Sequence, residues 1–319
     1  MDDFVEGFIT DCEARGLTAH TIQTYQGCVK SFLQANPEPS RVDLDVLRRY
    51  LKHLRSMGLQ GSTLKGYFAA LSTFYDYLIF EGILSSNPVL PFRKRYLTRI
   101  KRSTGGENTR QLISIQQMRE LILSAEHIQD IAILVFLAKS GLRRQEFLDI
   151  RLSDMFLEYG IIFIAPKPKR SQRTIFVDDE LAEVLKKYLS WRSRVASSPW
   201  LWINRDGKTR GKKLDRDYPG MLIASLAQPM GLHDPKGPLC SRLTPHCLRH
   251  FFTTHLFRAG LSPIYIKWLR GDSPGKEAWE QYNHIDPENV RAEYLRRIPK
   301  LICSVLLAAG VPQGDRTEL

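Results

Sequence analysis

The chain has 319 residues, 43% of them hydrophobic and 25% charged, which suits two globular domains with real cores rather than one. No apolar run reaches the roughly 18 residues of a membrane span, and the N-terminus has no signal-peptide pattern, so the expected location is the cytoplasm. A formal net charge of +12 points to an anionic partner, most commonly nucleic acid.

Residues 1 to about 90 read as helical throughout. Thr18 caps a helix that carries Ile22, Tyr25, Val29, Phe32 and Leu33 on one face, and Pro37 and Pro39 stop it. A second helix starts near Leu44, buries Leu47, Leu51 and Leu54, and closes at Gly58. Ser62 or Thr63 is the expected cap of a third, with Leu64, Tyr67, Phe68, Leu71, Phe74, Tyr75 and Leu78 inward. Gly82 and Asn87-Pro88 end this helical bundle. Arg93, Lys94, Arg95, Arg99, Lys101, Arg102 and Arg110 then face only Glu107, and Gly105-Gly106 breaks any regular element. This tract reads as a basic linker whose charge straps across phosphates.

Helical periodicity resumes at Ser114. Met118, Leu121 and Ile122 form one stripe, and Ile131, Leu134, Val135 and Phe136 belong to a strongly apolar helix ending at Ser140-Gly141. Two short β-like runs, 160–165 and 174–177, flank the stiff basic turn Pro166-Lys167-Pro168-Lys169-Arg170-Ser171-Gln172 and predict a hairpin. Helices follow near Glu180–Val195 and Asp217–Ala227, and Thr244-Pro245 opens another. A final set runs to Leu306, with 298–310 apolar enough to pack as a helix, on its own domain or on a neighbouring copy. The cysteines, Cys12, Cys28, Cys240, Cys247 and Cys303, form no C-x-x-C pair and read as reduced thiols. The eight histidines include no H-E-x-x-H, so neither a metal site nor a cofactor is expected.

The segment Thr244-Pro245-His246-Cys247-Leu248-Arg249-His250 carries the strongest chemical signal. At i, i+3 and i+4, His246, Arg249 and His250 share a helix face, while Leu248, Phe251, Phe252 and Leu256 anchor the other side. Two imidazoles and a guanidinium at a helix start make an anion site. In Gly141-Leu142-Arg143-Arg144-Gln145-Glu146, an arginine follows a helix-ending glycine and a glutamate stands three residues on, close enough to orient it.

Taken in order, Gly-Leu-Arg with Glu146, the basic β-turn, His246-x-x-Arg249-His250 and Tyr282-Asn283-His284 resemble the signature of tyrosine recombinases. That family includes phage-type integrases and Xer-like resolvases, and Trp268-Leu269-Arg270-Gly271-Asp272-Ser273 looks most like archaeal-type members. The resemblance implies a mainly α fold with a small β-hairpin or sheet. Residues 1–92 are then a helical, SAM-like core-binding domain, 93–111 the basic linker, 112–300 a mixed α/β catalytic domain, and 301–319 a tail.

It also implies site-specific recombination of double-stranded DNA through a 3′-phosphotyrosine, without metal or ATP, by copies that associate as dimers or tetramers on nucleoid DNA. Arg143 and Arg249 clamp the scissile phosphate, because guanidinium forks match its oxygens. Tyr282 is the nucleophile, His246 takes the tyrosine proton or bonds the phosphate, and His250 braces the site. Lys167, or Lys169 close by, protonates the departing oxygen, and Glu146 orients Arg143. The rivals to Tyr282 are Tyr265 and Tyr294, both in apolar helical settings. Where relatives carry His or Trp, this chain has Asp272. It either sits back and orients a cation, or leaves the phosphate contact to another donor such as His250 or Lys276. Two other readings remain open, a type IB topoisomerase-like enzyme and a non-catalytic DNA-binding protein on a decayed recombinase fold.

Overall fold

Local chemistry starts the helices of the N-terminal unit where the apolar spacing predicts. The Thr18 hydroxyl accepts the Thr21 N–H at 3.3 Å and opens α2 (Ala19–Ala35), which follows α1 (Asp2–Ala14). Asp43 accepts the Val46 N–H at 2.8 Å and opens α3 (Leu44–Ser56). In contrast, α4 (Gly61–Phe80) begins two or three residues ahead of its expected start. Gln60 is its N-cap without a side-chain bond, so Ser62 and Thr63 lie inside the helix. The seven-residue apolar stripe from Leu64 to Leu78 is buried or nearly so and fixes this helix by packing, which makes a side-chain cap dispensable.

The computed structural model describes residues 2–98, 109–165, 173–272 and 285–302, and the chain divides into two units, Met1–Gly105 and Gly106–Leu319. Aromatic side chains dominate the first core. Phe8 meets Phe74 edge-on at 5.4 Å, and Phe32 meets Tyr50 at 4.9 Å. Buried Asn87 closes the bundle. Its amide nitrogen donates to the Ser72 carbonyl at 2.9 Å and to Asp76 at 2.7 Å, while its oxygen accepts the Val89 N–H at 2.9 Å. The helical path then continues through α5 (Val89–Phe92) into Arg93–Leu97, with Leu97 buried and Tyr96 packed on Phe92 at 4.6 Å. Arg93, Lys94 and Arg95, read from sequence as the start of a linker, are thus helical and belong to this unit.

In the second unit, α6 (Ile115–Leu123) is started by a capping box between Ser114 and Gln117. The central element is α7 (Ile128–Ser140), which is apolar on nearly every side and buried along almost its whole length. It packs against α9 (Asp179–Ser193) and α11 (Pro245–Arg258). Phe136, Phe147 and Tyr188 gather around buried Trp202, with Phe147 stacked on it at 4.5 Å. The hairpin forms as β2 (Ile161–Ile164) and β3 (Arg173–Phe176), with Ile162 opposite Ile175. A third antiparallel strand, β1 (Met155–Phe156), joins β2 on its other edge and is too short to carry a sequence period. The remaining α-helices among the described residues are α8 (Arg144–Leu148), α10 (Tyr218–Ala227), α12 (Pro263–Leu269) and α13 (Pro287–Arg297).

The end of the unit departs from expectation. Helix α13 stops at Arg297, because Ile298 precedes Pro299 and takes an extended conformation. Residues 298–302 are therefore not a packing helix. Ile298 and Leu301 are buried, and Glu180 accepts the backbone N–H groups of Leu301, at 2.9 Å, and Ile302. Beneath this segment, Lys139 is fully buried between Asp178, at 2.6 Å, and Glu180, at 2.5 Å. Among the described residues no helix is long and apolar enough to cross a membrane, and Cys12, Cys28, Cys240 and Cys247 carry free thiols. Cys303 lies outside the described residues.

Replacing Lys139 by Met leaves two buried carboxylates with only the exposed Lys300, 3.4 Å from Asp178, as a nearby cation. Breaking such a pair costs about 3–5 kcal/mol, so urea unfolding of Lys139→Met is expected to show a loss of that order. A midpoint equal to wild type would show that the triad adds nothing.

Candidate active site

Helix α7 ends because Gly141 adopts the left-handed conformation, φ 58°, which side-chain-bearing residues rarely take. A Cβ there would also stand 2.4 Å from the Phe252 ring. The tight reversal delivers Arg143 as the N-cap of α8. Glu146 accepts the Arg143 backbone N–H at 2.9 Å, while its carboxylate stays 3.6 Å from the Arg143 guanidinium. The strong side-chain partner of Glu146 is instead Arg173 on β3, whose Nη2 donates to it at 2.7 Å with both groups buried.

On α11, Pro245 occupies the first turn and Thr244 the cap position, although the Thr244 hydroxyl meets the Cys247 thiol rather than the helix backbone. His246 and His250 lie on the outer face with rings 6.0 Å apart. Arg249 turns inward and is 2% exposed. Its Nη1 donates to the Gly141 carbonyl, and its Nη2 donates to Asp272 Oδ1 at 2.8 Å and to the Arg270 carbonyl at 3.3 Å. Arg143 Nη2 reaches the same Asp272 oxygen at 2.9 Å. The second oxygen, Oδ2, lies 3.1 Å from Arg270 Nε. Asp272 follows Gly271, φ 60°, where a Cβ would collide with the Arg173 guanidinium at 2.1 Å.

Four guanidiniums, from Arg143, Arg173, Arg249 and Arg270, therefore surround the carboxylates of Glu146 and Asp272. Burial and, after it, the excess positive charge shift the titrating groups. Burial, then the charges of Arg270 and Arg143, bring the Arg249 pKa down to about 9, with Asp272 opposing the shift. His246 keeps an edge in solvent, yet partial desolvation, then Arg110, His250, Arg249 and Arg270, lower its pKa to about 4. Burial, then Arg110 and Arg270, also lower that of His250. Both imidazoles are neutral at pH 7, so each ring has a nitrogen able to accept a proton.

The structure thus brings together Arg143, Glu146, His246, Arg249, His250 and Asp272. Tyr282, Lys167, Lys169 and Lys276 lie outside the described residues, as do Arg99, Lys101 and Arg102. Of the rivals to Tyr282, Tyr294 is wholly buried and its hydroxyl donates to the Lys139 carbonyl at 2.8 Å, which removes it from any phosphate. Tyr265 packs against the cluster that contains Leu256 and Leu261. Sequence reasoning assigned no role to Arg173 or Arg270 and placed Arg110 in the linker. The signal for Arg173 was available, as a charged residue at the inward end of a strand opposite Ile164. Among the described residues no group of three or more His, Cys, Asp or Glu side chains could hold a metal ion.

Comparison with known proteins places these residues in context. The model of the phage integrase family matches residues 106–289, and that of the phage integrase N-terminal SAM-like domain matches residues 5–82. Tyrosine recombinase XerC of Pelotomaculum thermopropionicum is 26% identical over 265 residues, covering 82% of this chain and 83% of the relative. Tyrosine recombinase XerA of Pyrococcus horikoshii is 24% identical over 274 residues, covering 84% and 85%. Among solved structures, the Tn1549 transposon integrase in complex with transposon right end DNA aligns with a TM-score of 0.67 at 18% identity, over 92% of this chain and 98% of that one. A lambda integrase dimer bound to a COC′ core site aligns at 0.68 and 15% identity, over 94% and 79%. These two alignments show a shared fold.

The lowered histidine pKa values have a consequence for stability. An unfolded imidazole titrates near 6.5, so the unfolded chain takes up protons that folded His246 refuses until about pH 4. Stability therefore falls as pH drops from about 6.5 towards 4. Urea midpoints at pH 7 and pH 5 are expected to differ more for wild type than for His246→Gln, and equal differences would show that His246 titrates normally.

Proposed function

We propose that this chain, which belongs to the phage integrase family and is a tyrosine-type site-specific recombinase, cuts and rejoins duplex DNA at a phosphodiester held by Arg143 and Arg249. One observation carries the reading. Two guanidiniums, from segments more than a hundred residues apart, converge on a single anionic oxygen at 2.9 and 2.8 Å. An oxyanion at that point is stabilised by fixed donors in a partly desolvated site, which is how charge building on phosphorus is met.

Tyr282 attacks phosphorus and forms a phosphotyrosine bond to the 3′ side while the bond to the 5′ oxygen breaks. Neutral His246 accepts the phenol proton, His250 braces it, and Lys167 or Lys169 donates a proton to the departing 5′ oxygen. Glu146 acts on Arg143 through its backbone and on the cluster through Arg173. The tyrosyl ester keeps the phosphodiester energy, so a 5′ hydroxyl from the same or another strand reverses the step without a nucleotide. Arg93, Lys94 and Arg95 on the end of the first unit, with Arg99, Lys101 and Arg102, contact flanking phosphates. Relatives of this fold include an integrase dimer on DNA, and self-association on the nucleoid's double-stranded DNA, as dimers or a tetramer, suits a reaction that exchanges strands.

The position of Asp272 favours a second reading, in which the carboxylate blocks the arginines and the protein binds DNA without cutting it. A nicked duplex, selected by binding from a random-sequence pool, separates the two. Wild type is expected to form a denaturant-resistant adduct and Tyr282→Phe none, with Arg143→Ala and Arg249→Ala slowed by roughly 10²–10³-fold. An adduct that persists in Tyr282→Phe would overturn the nucleophile, and no adduct from wild type would establish the binding-only reading.

A further inference from the structure

The Asp272 carboxylate stands where an arginine-bound phosphate oxygen belongs. Its Oδ1 receives Nη2 of both Arg143 and Arg249, and Arg249 has little left to offer, because the Gly141 and Arg270 carbonyls take its other inner donors. A phosphodiester and this carboxylate cannot share those two donors without direct like-charge contact. The carboxylate has a second attachment, since Oδ2 faces Arg270 Nε at 3.1 Å. Its backbone is fixed by the Asp272 N–H to the Lys267 carbonyl at 3.1 Å, so rotation of the side chain alone moves it between partners. The site also holds spare donors. Arg143 Nη1 and Arg173 Nε are buried without a hydrogen-bond partner among the described residues, which is costly unless a further acceptor arrives.

We propose that Asp272 is a resident anion in the scissile-phosphate position, and that Arg270 is the positioning residue that takes this carboxylate when DNA phosphate replaces it at Arg143 and Arg249. This deepens the proposed function and rests on its placement of the phosphate. Before DNA binds, Asp272 neutralises the two clamping guanidiniums and holds them together, so that the clamp is aligned before use. When phosphate enters, the Oδ1 contacts are exchanged and the Oδ2 contact strengthens. Arg270 then acts by removing a repulsive neighbour rather than by touching the phosphate.

A double-mutant cycle on the full chain tests this, with inorganic phosphate as the probe at constant ionic strength and thermal stabilisation as the readout. Asp272→Asn is expected to bind phosphate about tenfold more tightly than wild type, and Arg270→Ala about tenfold more weakly, with Arg270→Lys between them. In the Asp272→Asn background, Arg270→Ala is expected to change binding by less than about twofold, because no carboxylate remains to be held. Equal losses in both backgrounds would show that Arg270 touches the phosphate and overturn the proposal. Weakened or unchanged binding by Asp272→Asn would overturn it as well. Arg249→Lys separates the two layers of the argument: if it binds phosphate as tightly as wild type, the placement of the phosphate site fails, whatever the cycle shows. Adduct formation on the selected nicked duplex gives a second measurement, expected to fall in Arg270→Ala and to recover in Arg270→Ala/Asp272→Asn.

Discussion

The structure of the catalytic unit turns on the burial of guanidinium groups at one point. An arginine taken out of water has to be given acceptors for its donors and negative charge for its cation. Arg249 meets the first need through two main-chain carbonyls, those of Gly141 and Arg270, and the second through Asp272. Each carbonyl comes from a chain reversal, and each reversal uses a glycine at positive φ or beside one. Gly141 must approach Phe252, and Gly271 must clear Arg173. The loops that look like punctuation in the sequence are thus shaped by what an inward-facing arginine requires.

The same demand extends away from the site along α7. This helix is buried on nearly all sides, which fixes Gly141 and hence the start of α8 and Arg143. Two residues before Gly141, Lys139 lies in the core with Asp178 and Glu180, and its carbonyl accepts the Tyr294 hydroxyl. Glu180 in turn holds the backbone of Leu301 and Ile302. The end of the described chain is therefore connected to the arginine site through one rigid helix and a few charge-assisted bonds. Such a connection stiffens the platform on which Arg143 is carried, and donors held this way need little reorganisation when an anion meets them.

Local features of the fold were legible in the sequence because they depend on spacing and on caps. Thr18 bonds the backbone three residues on, as a cap read from sequence should, Asp43 and Ser114 do the same where the apolar spacing starts α3 and α6, and the stripe from Met118 to Ile122 needs only helical period. The hairpin followed from β-branched alternation around a proline-rich turn. What escaped was decided by partners distant in sequence. Glu146 was read as the neighbour of Arg143, three residues away, yet its strong side-chain bond is to Arg173, 27 residues on. The start of α4 moved because packing overrode capping, and residues 298–302 are not helical because Ile298 precedes Pro299, a local cue outweighed by apolar composition, while 303–310 lie outside the described residues. His246 and His250 share the outer face of α11, whereas Arg249, which the spacing grouped with them, is buried and turned inward.

Asp272 shows why the residue type at a site matters less than the charge around it. Alone beside a phosphate, a carboxylate is repulsive, and the sequence left open whether it withdraws or cedes its role. Four guanidiniums against two carboxylates leave the cluster cationic even with Asp272 in place. Without an internal anion, three arginine heads around one point would repel one another and splay in the DNA-free protein. With it they are aligned, at the cost of having to be vacated. A neutral histidine or tryptophan avoids that exchange but cannot hold the arginines together. The chain has therefore combined alignment and occupancy in one side chain, and Arg270, two residues earlier on the same turn, is the nearest cation able to take the carboxylate back.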